Sequence, residues 1–519
     1  MTFSTFLRFK QFINKMKTNI IEYFKNTVHG FPHKIALYDD KTALSFLDLH
    51  TISDKIALKV ISKIKKQRQP IAVLLPKDST SISSFLGIVK SGNFYIPLDI
   101  QSPDERLIKI IETLKTSLII TNRQLEAKLN HLNFQGDILC FEDCIDEKVT
   151  QEGIQTLENI SNTIIDFDPI YSIFTSGSTG IPKGVLVSHR GVIDFIEWSI
   201  STYDLNDKTI IGNQVPFYFD MSILDIYVML FTGATLHIIP EDRFTFPIKL
   251  IEFINKKEIN FIFWVPSVLN NVSHFDAFSV IKPTFLSKIL FAGEAMPNKH
   301  LNYWRNNYPN ALYSNLYGPT EVTVIATYYI VNRTFEDNES LPIGKACKNT
   351  QTLIISEENT LVAPGEMGEL CIRGSLLAYG YYNNSEKTKQ AFVQNPLHNL
   401  YPDLVYKTGD LVFENDLGEI MFVGRKDSQI KHMGYRIELG EIETALLGIH
   451  AVESSCVLYD DCSKRIVAFI KSKKTSAEIK KELARSLPKY MTPTKWINLQ
   501  HFPLNANGKI DRLELINSF

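Results

Sequence analysis

The chain has no apolar run long enough to span a bilayer, which argues against a helical membrane protein. It also lacks charge of either sign in excess, with a formal net charge of −2 over 519 residues. Neither nucleic acid nor an anionic membrane is therefore expected as its main partner. Cysteine is scarce and scattered, at Cys140, Cys144, Cys347, Cys371, Cys456 and Cys462. Cys140 and Cys144 have no matching second pair, so zinc is not expected, and reduced cytoplasmic thiols are. The basic opening, Met1 to Lys17, has apolar runs too short for a secretion signal. It reads as an amphipathic leading helix, with Met16 as an alternative start. Missing too is a Walker A loop, because Gly177 is followed by Gly180 and then Pro182-Lys183-Gly184 rather than G-x-x-x-x-G-K-[ST].

What is present is a different glycine-rich segment, Phe174-Thr175-Ser176-Gly177-Ser178-Thr179-Gly180-Ile181-Pro182-Lys183-Gly184, just after the apolar run Ile170–Ile173. Glycine lets backbone N–H groups approach phosphate oxygens, hydroxyls donate hydrogen bonds and lysine adds positive charge. A flexible linker is the competing reading, but linkers seldom carry Pro-Lys-Gly followed by a strand-like Val185-Leu186-Val187. At this length more than one domain is expected. Short apolar strands alternating with helical patterns, such as Ile71–Leu75 and Leu118–Ile120, argue for an α/β architecture.

Four further stretches carry chemistry. Asp220 interrupts the apolar Val215–Leu230 segment; it reads either as a helix N-cap or as a carboxylate awaiting a cation. Ile289–Ala292 is strand-like and ends at Gly293-Glu294-Ala295, a usual ligand position at the C-terminal edge of a parallel sheet. Tyr317-Gly318-Pro319-Thr320-Glu321 offers an aromatic face, a hydroxyl and a hard oxygen suited to Mg²⁺. Tyr406–Asp410 ends in an acid able to accept from both hydroxyls of a ribose.

In this order the motifs resemble those of adenylate-forming enzymes, the superfamily of amino-acid adenylation domains, acyl-CoA ligases and luciferases. The resemblance runs from Leu44 to Arg512. It implies a multi-domain α/β fold, with a large domain over residues 1–426 and a small α+β domain over 427–519. It implies that Thr175, Ser176, Gly177, Ser178, Thr179, Gly180 and Lys183 hold the phosphates of ATP. Gly293, Glu294, Ala295 and Tyr317 would meet the adenine, Asp410 and Arg425 the ribose, Thr320 the α-phosphate and Glu321 the Mg²⁺. Asp427 would be the hinge of the small domain. Lys509 would be the lysine bridging substrate carboxylate and α-phosphate, and Gly434, in the stretch Gln429–Glu438, would line the path of a pantetheine thiol.

In the same way Asp220 resembles the aspartate that pairs with a substrate's α-ammonium. The side-chain pocket would comprise Asp220, Met221, Leu224, Trp264, Leu290, Ala292, Leu316, Val324 and Ile325. Apart from Asp220 these are apolar, so a polar substrate side chain would lose hydrogen bonds. With Trp264 expected to shorten the pocket, a small apolar amino acid should fit. The set resembles stand-alone prolyl–carrier-protein ligases, which implies L-proline. The stretch Phe219–Tyr227 also resembles D-alanine–carrier-protein ligases, although a cysteine typically stands there in place of Ala292; valine is a third candidate. An acyl-CoA ligase would share the ATP motifs but usually lacks the acid. Seven residues follow Arg512, so the phosphopantetheine-bearing carrier protein is expected to be a separate chain.

Overall fold

The runs Pro70–Val73, Phe94–Pro97 and Leu118–Thr121 are buried at every position, as strands covered on both faces must be. In the computed structural model, which describes residues 17–177, 181–426, 429–503 and 510–516, they pair in parallel within a seven-stranded sheet. Pro169–Thr175 joins that sheet beside Phe94–Pro97, and Lys183–Ser188 folds back on it antiparallel, with Thr175 opposite Lys183. A nine-stranded sheet carries the parallel neighbours Phe261–Trp264, Lys288–Phe291 and Leu312–Tyr317.

One hydrophobic core runs between these sheets and takes in the helix Ser222–Thr232, buried from Ser222 to Leu230. A helix apolar on all sides belongs there. Its one acid, Asp225, accepts from the Asn213 amide at 2.8 Å, and burial pushes its carboxyl up to about 8. It is thus mostly protonated at neutral pH. A third, five-stranded antiparallel sheet contains Leu404–Glu414 and Ile420–Arg425.

The C-terminal part has its own core, from Ile437 to Met491, around the three strands Val452–Asp460, Arg465–Ser472 and Lys495–Asn498. It begins with the hairpin Gln429–His432/Tyr435–Glu438 and the helix Leu439–Leu447. Met433 and Gly434 turn that hairpin with φ of 52° and 81°, the backbone of a two-residue hairpin turn that favours glycine. The large α/β part followed by a small α+β part is the fold class read from the sequence.

Five cysteines are buried and Cys462 is exposed. Burial pushes the thiols of Cys140 and Cys456 up to about 11, and those of Cys144 and Cys371 to about 12. Among the described residues no helix is long and apolar enough to cross a membrane, and no cluster of three or more His, Cys, Asp or Glu is set to hold a metal ion.

Candidate active site

The glycine-rich loop lies at the tip of an antiparallel hairpin. Its chain doubles back so tightly that a Cβ on Gly177 would lie 2.0 Å from the Ile181 carbonyl oxygen, which only glycine tolerates. Thr175 and Ser176 line a cavity of about 100 Å³ together with Asp220, Met221, Ala292 and Thr320. The ends of parallel strands thus converge on the loop.

Asp220 is not a helix cap. The helix starts at Ser222 with Met221 as N-cap and no capping side chain. Partial withdrawal from water raises the Asp220 carboxyl to about 6, against a hydrogen bond from Thr320 that lowers it. The Glu321 charge adds to the rise. Among the described residues it has no ion pair, although the Arg436 charge also lowers it, and it lines the cavity beside Lys431 and Arg436.

Glu321 behaves in the opposite way. Its side chain is fully buried, and burial alone would raise its carboxyl. The Arg436 guanidinium and then Lys183 outweigh that and hold it at about 2. Arg436 donates to one carboxylate oxygen at 2.5 Å and the Tyr381 hydroxyl to the other at 2.7 Å. The ionised, oxygen-only donor suits Mg²⁺. Both of its oxygens are engaged by protein, so Glu321 would accept a metal once Arg436 has withdrawn.

Asp410 is likewise engaged. Arg425 donates to it at 2.6 Å, and the Tyr317 hydroxyl donates to its other oxygen. Lys431, on the C-terminal hairpin, places its ammonium 5.1 Å from the centre of the Tyr317 ring, within range of a cation–π contact. Glu294 accepts from the Ser267 amide at 3.0 Å and from the Gly434 amide at 2.8 Å. The hairpin 429–438 is therefore seated in the site.

A model of the AMP-binding enzyme family matches residues 24–382, and one of the AMP-binding enzyme C-terminal domain matches residues 441–509. The chain belongs to the AMP-binding enzyme family. It is 32% identical over 512 residues to the D-alanine–D-alanyl carrier protein ligase of Bacillus cytotoxicus, covering 96% of this chain and 99% of that one. It is 31% identical over 501 residues to gramicidin S synthase 1 of Brevibacillus brevis; there it covers 96% of this chain but spans only 44% of that protein. In fold it matches an adenylation domain of Vibrio cholerae, AlmE, solved in complex with glycyl-adenosine-5′-phosphate. That match has a TM-score of 0.82 and 22% identity, and covers 97% of this chain and 98% of the other.

Within this AMP-binding enzyme most of the other expected residues fall into three groups. The cavity lining takes in Thr175, Ser176, Asp220, Met221, Ala292, Gly293, Thr320, Val324, Ile325, Asp410, Arg425 and Gly434. Leu224, Leu290 and Leu316 share the hydrophobic core of Met221 and Ala292, whereas Ala295 is exposed and stands outside the lining. Ser178, Thr179, Gly180, Asp427 and Lys509, like the leading segment 1–16, lie outside the described residues.

Trp264 needs correcting. It packs in a second core, edge-on to Phe244 at 5.7 Å, and donates its indole N–H to the Gly212 carbonyl at 2.8 Å. Its neighbour Phe263 shares the core of Leu224, Leu290, Ala292 and Leu316. Successive side chains of a strand point to opposite faces, so the expected register was off by one residue. Sequence reading also gave no role to Arg106, Lys431, Arg436, Glu438 or Glu441. Arg436 and Glu438 stand inside the Gln429–Glu438 stretch, and their chemistry was the available signal.

Proposed function

We propose that the chain activates a small apolar amino acid with ATP and passes it to the phosphopantetheine thiol of a carrier protein. The substrate carboxylate oxygen attacks the α-phosphorus, the bond to the β-phosphate oxygen breaks and pyrophosphate leaves. The thiol sulfur then attacks the acyl carbon, loses its proton and expels AMP. The observation that carries this reading is Asp220. It lines one cavity with Thr175 and Ser176, and Met221, Ala292, Val324 and Ile325 line the same cavity. A carboxylate suited to an ammonium and a loop suited to phosphate sharing one cavity support this reading.

In this reading the Ser176 hydroxyl, the Gly177 amide and Lys183 orient the phosphates, and Thr320 faces the α-phosphate. Mg²⁺ held by Glu321 would supply charge neutralisation at the phosphate oxygens. Preorganised donors and charges are among the largest catalytic effects. The small domain, residues 427–519, would turn about Asp427 and present Lys509 for the first step. Lys509→Ala is expected to lower adenylate formation by about a hundredfold or more, on the scale of other fixed charges at developing negative charge. Thioester formation from preformed adenylate should stay near wild type, and rapid-quench assays of the two half-reactions check this. An equal loss in both would remove the alternating role of the small domain.

For the amino acid, L-proline is the first candidate and D-alanine the second. D-alanine is favoured by relatives named D-alanine–D-alanyl carrier protein ligases that match along almost their whole length. With Trp264 turned away, Phe263 takes over the role of limiting pocket depth. The deciding experiment is ATP–pyrophosphate exchange with L-Pro, D-Ala, L-Ala, Gly, L-Val and aryl acids. A dominant L-Pro signal is expected. A D-Ala signal keeps the reaction and moves the substrate, and exchange with aryl acids alone overturns the role of Asp220.

A further inference from the structure

A second cavity, of about 350 Å³, meets the first at Tyr218 and Tyr435, which line both. The turn of the C-terminal hairpin straddles the two, with Gly434 in the lining of the first and Met433 in that of the second. Much of the second cavity's wall is apolar, with Leu75, Phe85, Leu98, Phe217, Val265 and Val268 among its residues. None of the residues assigned to ATP lines it.

Among the described residues Lys77 is the only lysine, arginine or histidine in that lining, against the acids Asp99 and Glu241. Its ammonium donates to the Gln214 carbonyl at 2.7 Å, and among the described residues it has no ion pair. Withdrawal from water lowers it to about 8, against the charges of Glu241 and Asp225, so it stays mostly protonated at neutral pH. Asp225 is itself mostly protonated there and offers little counter-charge. An ammonium is a donor several times over and never an acceptor, and Gln214 takes only one of its donors. The remaining donors, in a mostly apolar cavity, are set for a ligand that brings an acceptor.

The charges in the lining also select the kind of ligand. One cation against two carboxylates gives no net attraction for a phosphate or another anion. An apolar wall with isolated polar groups suits a neutral chain, with carbonyl oxygens for Lys77 and N–H groups for an acceptor such as Asp99. Pantetheine is a chain of that kind, with amides and a hydroxyl spaced by short alkyl stretches and a thiol at its end.

We propose that Lys77 binds the thiol-bearing arm, donating from its ammonium to an amide carbonyl of pantetheine, so that the arm lies in the second cavity and its sulfur reaches the first past Tyr218 and Tyr435. This role rests on the thiol acceptor of the preceding section and adds the residue that recognises it. Lys77 takes no part in making or breaking bonds.

The test follows acyl transfer on the full chain, from the adenylate of the amino acid that gives the strongest pyrophosphate exchange. The acceptors are free pantetheine and β-mercaptoethanol, which has the thiol but no amide. Wild type should use pantetheine at least about tenfold better in kcat/KM, on the scale of one hydrogen bond to a charged group. Lys77→Met should lose most of that preference through KM for pantetheine, with little change in kcat/KM for β-mercaptoethanol. Lys77→Arg, which keeps the charge and donors, should retain part of it. A lysine that only braces the Gln214 carbonyl would affect both thiols alike, and that result overturns the proposal. So does a wild type with no preference for pantetheine, a result that needs no variant to fold. An undiminished preference in Lys77→Met overturns the role of Lys77 alone. Pyrophosphate exchange with no transfer to either thiol overturns the thiol acceptor as well.

Discussion

Asp220→Asn should reduce amino-acid-dependent pyrophosphate exchange by two to three orders of magnitude, chiefly through kcat/KM. Breaking one side of a desolvated ion pair costs about 3–5 kcal/mol, because the partner charge stays behind. Here the stranded charge would be the substrate's ammonium, in a wall of Met221, Ala292, Val324 and Ile325. A pH dependence goes with it. The carboxyl is raised to about 6, so its charged form dominates above that pH and is lost below it. Apparent amino-acid affinity should therefore fall tenfold per pH unit on the acid side of about 6, as for any single required ionisation. In Asp220→Asn that limb should vanish. A variant with wild-type exchange, or an unchanged acid limb, would mean that the ammonium is bound elsewhere.

The second large effect belongs to Glu321. Glu321→Gln leaves the Arg436 guanidinium without its counter-charge in a buried setting, and such losses destabilise by about 3–5 kcal/mol. Urea denaturation at neutral pH should show a shift of that order. The acid behaviour fixes the sign. Because the folded carboxyl is depressed to about 2, its stabilisation is present above the ordinary carboxylate range and is lost as pH falls from about 4.5 through about 2. That portion of the acid unfolding should be missing in the variant. Adding Arg436→Met should recover much of the stability, since both charges are then gone. It should not recover adenylate formation. Full catalytic recovery in the double variant would remove Glu321 from the chemistry.

Much of this was legible in the chain itself. The glycine-rich segment stood out through glycine, hydroxyl and lysine in one short stretch, and in the structure its flanks Thr175 and Lys183 pair across an antiparallel hairpin. Trp264 was misread for a physical reason. Phe261–Trp264 is buried at all four positions, so it offers no alternation from which to tell one face from the other. Only the packing, with Phe263 in one core and Trp264 in the next, resolves it. The pairs that lock the hairpin were illegible for another reason. Arg436 meets Glu321 across 115 positions and Glu441 meets Arg106 across 335, and no local pattern encodes such partners.

The buried cysteines have a consequence for an enzyme of this kind. An acyl-adenylate is an indiscriminate acylating agent, and a pantetheine thiol succeeds by being the nucleophile within reach. Thiolate is the attacking form, and thiols pushed up to about 11 or 12 hold almost none of it at neutral pH. In the proposed reaction, the five sulfurs closed to solvent would be poor acceptors for the reactive ester made nearby. In that reaction the buried thiols would leave the ester to the incoming pantetheine.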